Sequence, residues 1–205
     1  MRYGMVIDLN TCAGCSACVM ACKQGNATPN GMYWCTVDIW EEGVYPDAKK
    51  RVMPHACMHC KNAPCVRACP TGASHYDENN LVQVDYNRCI GCRMCMAACP
   101  YGARWFNWVD PKDNPYYEGF EQTPYEAMRS SEHPRGVVEK CVMCKDRLAK
   151  GEEPLCVKTC ITKCRTFGDL DDPASELNQK IRELGARPLK PELGTEPCVY
   201  FAGLE

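Results

Sequence analysis

The chain has 205 residues, of which 19 are cysteine, and its 24 Lys and Arg against 26 Asp and Glu leave a formal charge of −2 at pH 7. That balance offers no basic face for nucleic acid, and no stretch approaches the roughly 20 apolar residues that a membrane-spanning helix needs. A disulfide scaffold fits poorly too: the cysteine count is odd, the chain is long for such a domain, and it opens MRYGMVIDLN without a charged leader and apolar segment.

In chain order, Tyr3-Gly-Met-Val-Ile-Asp8 reads as a strand feeding a first cysteine run, Cys12-x2-Cys15-x2-Cys18-x3-Cys22. Residues 24–56 read as an insertion with Asn26, Pro29, Gly31 and Pro46 and an aromatic group of Tyr33, Trp34, Trp40 and Tyr45. The second run is Cys57-x2-Cys60-x4-Cys65-x3-Cys69-Pro70, with a helical turn expected after Cys65. Turn-rich Asp77-Glu-Asn-Asn80 separates Ala73–Tyr76 from the alternating Leu81–Asp85, which predicts a hairpin. It leads into the third run, Cys89-x2-Cys92-x2-Cys95-x3-Cys99-Pro100, with a second helical turn after Cys95.

Residues 104–138 form a Pro- and aromatic-rich insertion holding Trp105, Phe106, Trp108, Tyr116, Tyr117 and Phe120. A loop of that length suits either partner docking or the shielding of a metal centre from water. The fourth run, Cys141-x2-Cys144-x11-Cys156-x3-Cys160, is stretched. Asp172-Pro173 reads as an N-cap with proline at N1, opening a helix with Leu177, Ile181 and Leu184 on one stripe and Gly185 as its stop. The tail Pro188–Tyr200 reads as an extended arm.

Three cysteines at i, i+3 and i+6 with a fourth four residues later crowd one tight loop, which suits three corners of a cubane. Zinc knuckles normally separate their two C-x2-C pairs by a dozen or more residues, so zinc remains a rival chiefly for the stretched fourth run. Four tetrads imply four 4Fe–4S clusters and an electron wire. With little Leu, Ile and Phe, the clusters take the place of an aliphatic core, so the apo-chain is expected to be largely unfolded. The fold class is α+β: two ferredoxin-like dicluster units, one inserted within the other. Residues 1–23 plus 139–170 make the outer unit and 57–103 the inner one, with 24–56 and 104–138 as insertions and 171–205 as a helix and arm.

In two-cluster ferredoxins the fourth cysteine of a run ligates the other cluster. The second and third tetrads are close in sequence and are expected to partner each other, which leaves the first and fourth as the outer pair. The hypothesis groups Cys12, Cys15, Cys18 and Cys160; Cys22, Cys141, Cys144 and Cys156; Cys57, Cys60, Cys65 and Cys99; and Cys69, Cys89, Cys92 and Cys95. Gly14 and Gly91 let backbone N–H groups approach the sulfides, while Gly102 eases a turn. Lys23, Lys61, Arg67, Arg93, Lys140 and Lys145 flank cluster cysteines, either as cations favouring the reduced form or as solvated surface charges. Cys35, Cys164 and Cys198 stand outside the tetrads and read as buried free thiols, Cys164 being close enough to Cys160 to serve as an alternative ligand. His59 is expected beside a cluster or exposed, because its tetrad is complete without it. The sequence has no Ser–His–Asp set, phosphate loop or GxGxxG, so no catalytic site is expected.

Four tetrads in this order, with Cys-Pro after the second and third and a long gap in the fourth, resemble the iron–sulfur beta subunits of the dimethyl sulfoxide reductase superfamily of molybdopterin oxidoreductases. The resemblance covers residues 1–170. In the tail, Gly168–Pro173 and Leu189–Pro197 look most like arsenate respiratory reductase beta subunits, and Leu189–Pro197 also resembles the transhydroxylase small subunit. The resemblance implies four 4Fe–4S clusters on the cysteine sets above and a large catalytic partner with a molybdenum or tungsten bis-pterin cofactor. A quinone-interacting membrane subunit is common but not universal in the family. It also implies co-export with the partner to the outer face of the membrane, with a cytoplasmic location as the alternative. Cys160-Ile161 departs from the usual Cys-Pro, which puts the geometry of the fourth loop in doubt. A stand-alone polyferredoxin is the alternative function, and a zinc-binding structural module the next.

Overall fold

The computed structural model describes residues 1–204. Strand β1 (Tyr3–Asp8) leads into the first cysteine loop and α1 (Ala17–Asn26), which a long hairpin of β2 (Cys35–Glu42) and β3 (Lys49–Ala56) follows. The middle of the chain carries α2 (Pro64–Arg67), β4 (Ser74–Tyr76), β5 (Val82–Val84) and α3 (Met94–Ala97). β6 (Trp105–Phe106) and β7 (Val138–Glu139) bracket the second insertion, which holds α4 (Pro124–Arg129). Then come α5 (Lys145–Leu148), α6 (Leu155–Lys158), β8 (Arg165–Asp169), α7 (Glu176–Glu183), β9 (Arg187–Pro188) and β10 (Val199–Ala202). Helices and strands are mixed along the chain, an α+β fold.

Met5, Val6 and Ile7 are consecutive apolar residues, and all three are buried. That is the mark of a strand covered on both faces. β1 accordingly lies inside a four-stranded sheet of order β8-β1-β10-β9. It runs antiparallel to β8, with Met5 opposite Phe167, and parallel to β10, with Ile7 opposite Phe201. The tail is thus extended, as its sequence suggests, but it docks as an inner strand.

Helix α7 covers this sheet through Leu177, which is fully buried. Gly168 permits the approach: a Cβ there would stand 2.9 Å from the Leu177 Cβ. The helix is capped by Ser175 and not by Asp172. The Ser175 hydroxyl accepts from the Asn178 N–H at 3.2 Å, while Asp172 is engaged one turn earlier, accepting from the Ala174 N–H at 2.9 Å. The helix gives way to Gly185 at φ +58.

The β4–β5 hairpin forms with Ser74 opposite Val84, its turn held by the Asp77 carboxylate, which accepts from the N–H groups of Asn79 and Leu81 at 2.9 Å each. The β2–β3 hairpin is regular where an irregular insertion was expected. Its cross-strand pairs set Glu41 against Lys50 and Glu42 against Lys49, opposite charges that favour this register. Ile39, Trp40, Val44 and Tyr45 stand exposed on it.

The second insertion is anchored at both ends by the β6–β7 pair. Thr123 and Glu126 form a capping box at the start of α4. Two helix contacts organise the centre: α1 packs on α6 and α2 on α3. α2 and α3 each open around the third cysteine of their tetrad, Cys65 and Cys95, rather than after it.

Candidate iron–sulfur centres

The four C-x-x-C openings share one backbone device. The residue before the second cysteine is left-handed in each: Gly14 (φ 67), His59 (φ 43), Gly91 (φ 68) and Met143 (φ 55). This turn aims its amide at the first cysteine, and the His59 and Met143 N–H groups lie 3.5 and 3.4 Å from the Sγ atoms of Cys57 and Cys141. Glycine meets the requirement at no steric cost. At Gly91 close approach forbids a side chain as well, since a Cβ would sit 2.3 Å from the Gly136 carbonyl oxygen. His59 and Met143 adopt the same conformation with side chains, and burial holds both in place.

A second turn recurs after the last cysteine. The N–H groups of Gly72, Gly102 and Lys163 donate to the carbonyls of Cys69, Cys99 and Cys160 at 3.3, 3.4 and 3.2 Å. All three donors have positive φ. Ile161 in place of proline therefore leaves the fourth loop with the same turn as its counterparts. At Gly102 no atom lies within 4 Å of the place a Cβ would take, so backbone conformation alone accounts for the glycine.

The structure brings many of the expected cysteines together. Cys69, Cys89, Cys92 and Cys95 line one small cavity with Ser74 and Val138. Cys22, Cys141, Cys144 and Cys156 line another, largely apolar, with Cys35 and Cys57 also on its wall. Cys60 lies within electrostatic reach of Cys57, Cys65 and Cys99. Cys12 and Cys160 both neighbour Cys164, whose sulfur is 3.4 Å from that of Cys160. Cys15 and Cys92, the second cysteines of their runs, are exposed.

The donors are all thiols, and they ring cavities. No three His, Cys, Asp or Glu side chains among the described residues converge as a single-ion site would require. All-thiol donor sets spread round a cavity suit a polynuclear iron–sulfur cluster, whose corners each take one ligand.

Burial dominates the electrostatics of the most enclosed thiols. Burial, reinforced by neighbouring thiols, pushes Cys22 and Cys60 up to about 12, and Cys141 well above the usual thiol range. Such thiols stay protonated at neutral pH until iron displaces the proton, so loading releases protons. Cys18 goes the other way, to about 6, because Cys35 donates a hydrogen bond to it and Arg165 lies beside it, against the effect of burial.

Of the six cations flanking the tetrads, Lys61, Arg67, Arg93 and Lys145 are exposed. Arg93 stacks over Phe106 and Trp108. Lys23 ties down the start of the first insertion by donating to the carbonyls of Thr28 and Pro29 at 3.0 and 2.8 Å. Lys140 alone is deeply buried, donating to the carbonyls of Val82 and Cys141. Two further buried cations escaped the sequence reading, Arg104 and Arg165, each five residues after the last cysteine of its run. His59 is fully buried, and neither ring nitrogen has a hydrogen-bond partner. Burial keeps its imidazole well below the usual histidine range, and therefore neutral. Cys35, Cys164 and Cys198 are buried, as expected.

The second insertion is locked onto this core by Glu139, which is fully buried. Its carboxylate accepts from Trp34 Nε1 at 3.2 Å, Asn107 Nδ2 at 2.6 Å and His133 Nδ1 at 2.9 Å. His133 Nε2 donates in turn to the Asn26 carbonyl at 2.9 Å, joining the insertion to the end of α1.

Comparison with known proteins places this arrangement. The 4Fe–4S dicluster domain family matches residues 48–114 and 109–170, and a 4Fe–4S binding domain matches residues 9–26. The chain is 41% identical to the arsenate respiratory reductase iron–sulfur subunit of Shewanella sp. (strain ANA-3), over 98% of this chain and 96% of that protein. It is 42% identical to a subunit of the selenate reductase of Mesobacillus selenatarsenatis, over 98% of this chain and 72% of that one. Against a polypeptide of the polysulfide reductase of Wolinella succinogenes it is 38% identical, over 98% and 93%. Tetrads, repeated turns and full-length similarity together show that this protein binds 4Fe–4S clusters and belongs to the iron–sulfur subunit family of the dimethyl sulfoxide reductase superfamily.

Proposed function

We propose that this chain passes single electrons through four 4Fe–4S clusters, to or from a molybdopterin-containing catalytic subunit. One observation supports the cluster assignment: Cys69 lines a cavity with Cys89, Cys92 and Cys95, and Cys22 lines another with Cys141, Cys144 and Cys156, beside Cys35 and Cys57. On this reading Cys69 would join the third run and Cys22 the fourth, the exchange expected of paired clusters. By the same pattern, Cys99 would join Cys57, Cys60 and Cys65, and Cys160 would join Cys12, Cys15 and Cys18. The packing of α1 on α6 and of α2 on α3 supports an outer unit of residues 1–23 plus 139–170 around an inner unit of 57–103. When bound, the clusters supply one-electron redox chemistry. The protein's part is to hold iron through thiolates, exclude water and set the local charge.

Cavities among the described residues include the cysteine cradles and open surface clefts, and on this reading the transformed substrate belongs to a partner. No helix among the described residues is long and apolar enough to cross a membrane, and a quinone-interacting membrane subunit is a further partner on this reading. Co-export to the outer face with the catalytic subunit is the location we favour. Anaerobic native isolation of the complex with metal analysis tests the reading. About sixteen irons per chain, four per cluster, with stoichiometric molybdenum or tungsten and a large partner are expected. Sixteen irons on a free chain would instead establish a polyferredoxin, and zinc would overturn the account.

A further inference from the structure

Arg104 and Arg165 occupy the same place in two halves of the chain. Each lies five residues after the last cysteine of its run, two residues beyond the left-handed turn at Gly102 or Lys163. Both are buried, at 4% and 5% exposure. Arg165 Nη2 lies 3.6 Å from Cys18 Sγ, and its charge also bears on Cys156. Arg104 faces Cys65 and Cys95. These four are the third cysteines of the four runs, one from either member of each proposed cluster pair; Arg165 Nη2 also lies 3.9 Å from Cys35 Sγ, and the charge of Arg104 also bears on Cys57.

A buried guanidinium is costly unless opposite charge compensates it. Among the described residues, neither arginine has a carboxylate partner within ion-pair range, and Arg104 Nη2 has no hydrogen-bond partner. Arg104 Nη1 donates to the Ser74 hydroxyl, at 2.9 Å. The remaining negative charge within reach is that of the thiolates and of what they hold. Lys140 differs, since its ammonium is engaged by two carbonyls.

We propose that Arg104 and Arg165 are equivalent bridging cations, each set between the two clusters of one pair, which raise the reduction potential of both. The inference rests on the cluster pairing proposed above. Reduction adds one electron to a centre that is already anionic, so a cation beside it favours the reduced form. Removing the cation makes reduction harder.

The test is an anaerobic redox titration of the isolated complex, followed by EPR, with iron determined on every sample. In Arg104→Gln, the reduced-to-oxidised ratio of two clusters at a fixed potential is expected to fall about tenfold, which is about 59 mV for a one-electron couple. The other two are expected to hold their native ratios. Arg165→Gln should shift the complementary two, and Arg104→Lys should recover most of the native ratio. Full iron content with unshifted ratios in both glutamine variants overturns the proposal. If Arg104→Gln loses two clusters, Arg104→Lys decides: retention supports a requirement for charge, whereas equal loss shows a structural guanidinium and overturns the bridge. The underlying reading fails separately, if the unmodified chain holds fewer than four clusters or zinc.

Discussion

Replacing Cys22 with serine tests the crossed ligation directly. Cys22 belongs by sequence to the first run, yet the thiols acting on it most strongly are Cys156 and then Cys144, ahead of Cys18. It lines the cavity that Cys141, Cys144 and Cys156 also line. Burial is the chief cause of its raised pKa, so the site has little polar solvation to offer a substituted hydroxyl. Asn26 Nδ2 lies 3.5 Å from its sulfur. Serine there is a poor ligand, and the expected loss is one cluster, about four of about sixteen irons. Iron analysis of the anaerobically purified complex reads that quarter directly. EPR of the dithionite-reduced sample then identifies the missing centre by comparison with Cys141→Ala and Cys12→Ala. The signal lost in Cys22→Ser should be the one lost in Cys141→Ala. Were it the one lost in Cys12→Ala, each run would hold its own cluster and the exchange would be wrong.

Further expectations concern the scaffold. His133→Ala strands the buried Glu139 carboxylate with two donors and should lower stability by about 3–5 kcal/mol, the usual cost of breaking a buried pair. Anaerobic denaturant titration of the holo-complex checks this, and the double variant His133→Ala/Glu139→Leu should recover part of the loss. Gly91→Ala drives a Cβ into the Gly136 carbonyl and should abolish iron at the third loop. Gly102→Ala meets no atom and should cost only about 1 kcal/mol for its positive φ. Cys198 has its pKa raised to about 11, chiefly by burial, so almost none of it is thiolate at pH 8. Iodoacetamide labelling of the holo-protein, read by mass spectrometry, should leave Cys198 unmodified at pH 8 and accelerate as pH approaches 11. Prompt labelling at pH 8 would show that the site is open to solvent.

Much of the site was legible because cluster ligands sit close together in sequence, with spacing dictated by the size of a cubane. The left-handed residue of each loop could be read only at Gly14 and Gly91, since His59 and Met143 disguise it. β1 and the β4–β5 hairpin were legible from apolar runs and turn residues. The β2–β3 hairpin left a signal in the alternation of Thr36-Val-Asp-Ile-Trp40 and in the opposed charges, but six residues separate its strands, so no tight-turn motif advertised it. Ser175 captured the helix start because Asp172 was already satisfied by its own turn. Arg104 and Arg165 were missed because nothing local distinguishes a buried arginine from a surface one. Aligning the runs on their last cysteine would have exposed them as a pair. The Glu139 network joins residues 34, 107, 133 and 139, a combination that no local pattern encodes.

The parallel pairing of β1 with β10 makes the synthesis of this molecule strongly asymmetric in time. Met5 through Asp8 meet Val199 through Ala202, so the partner of the first strand leaves the ribosome long after the strand itself. Loop closure over so many residues is slow, and β1 must wait with one edge uncovered. A nascent or prematurely terminated chain therefore advertises an unpaired apolar strand, the kind of surface that chaperones and proteases recognise. Only a chain made as far as β10 can cover that edge, so the first strand is finished by one of the last to be made.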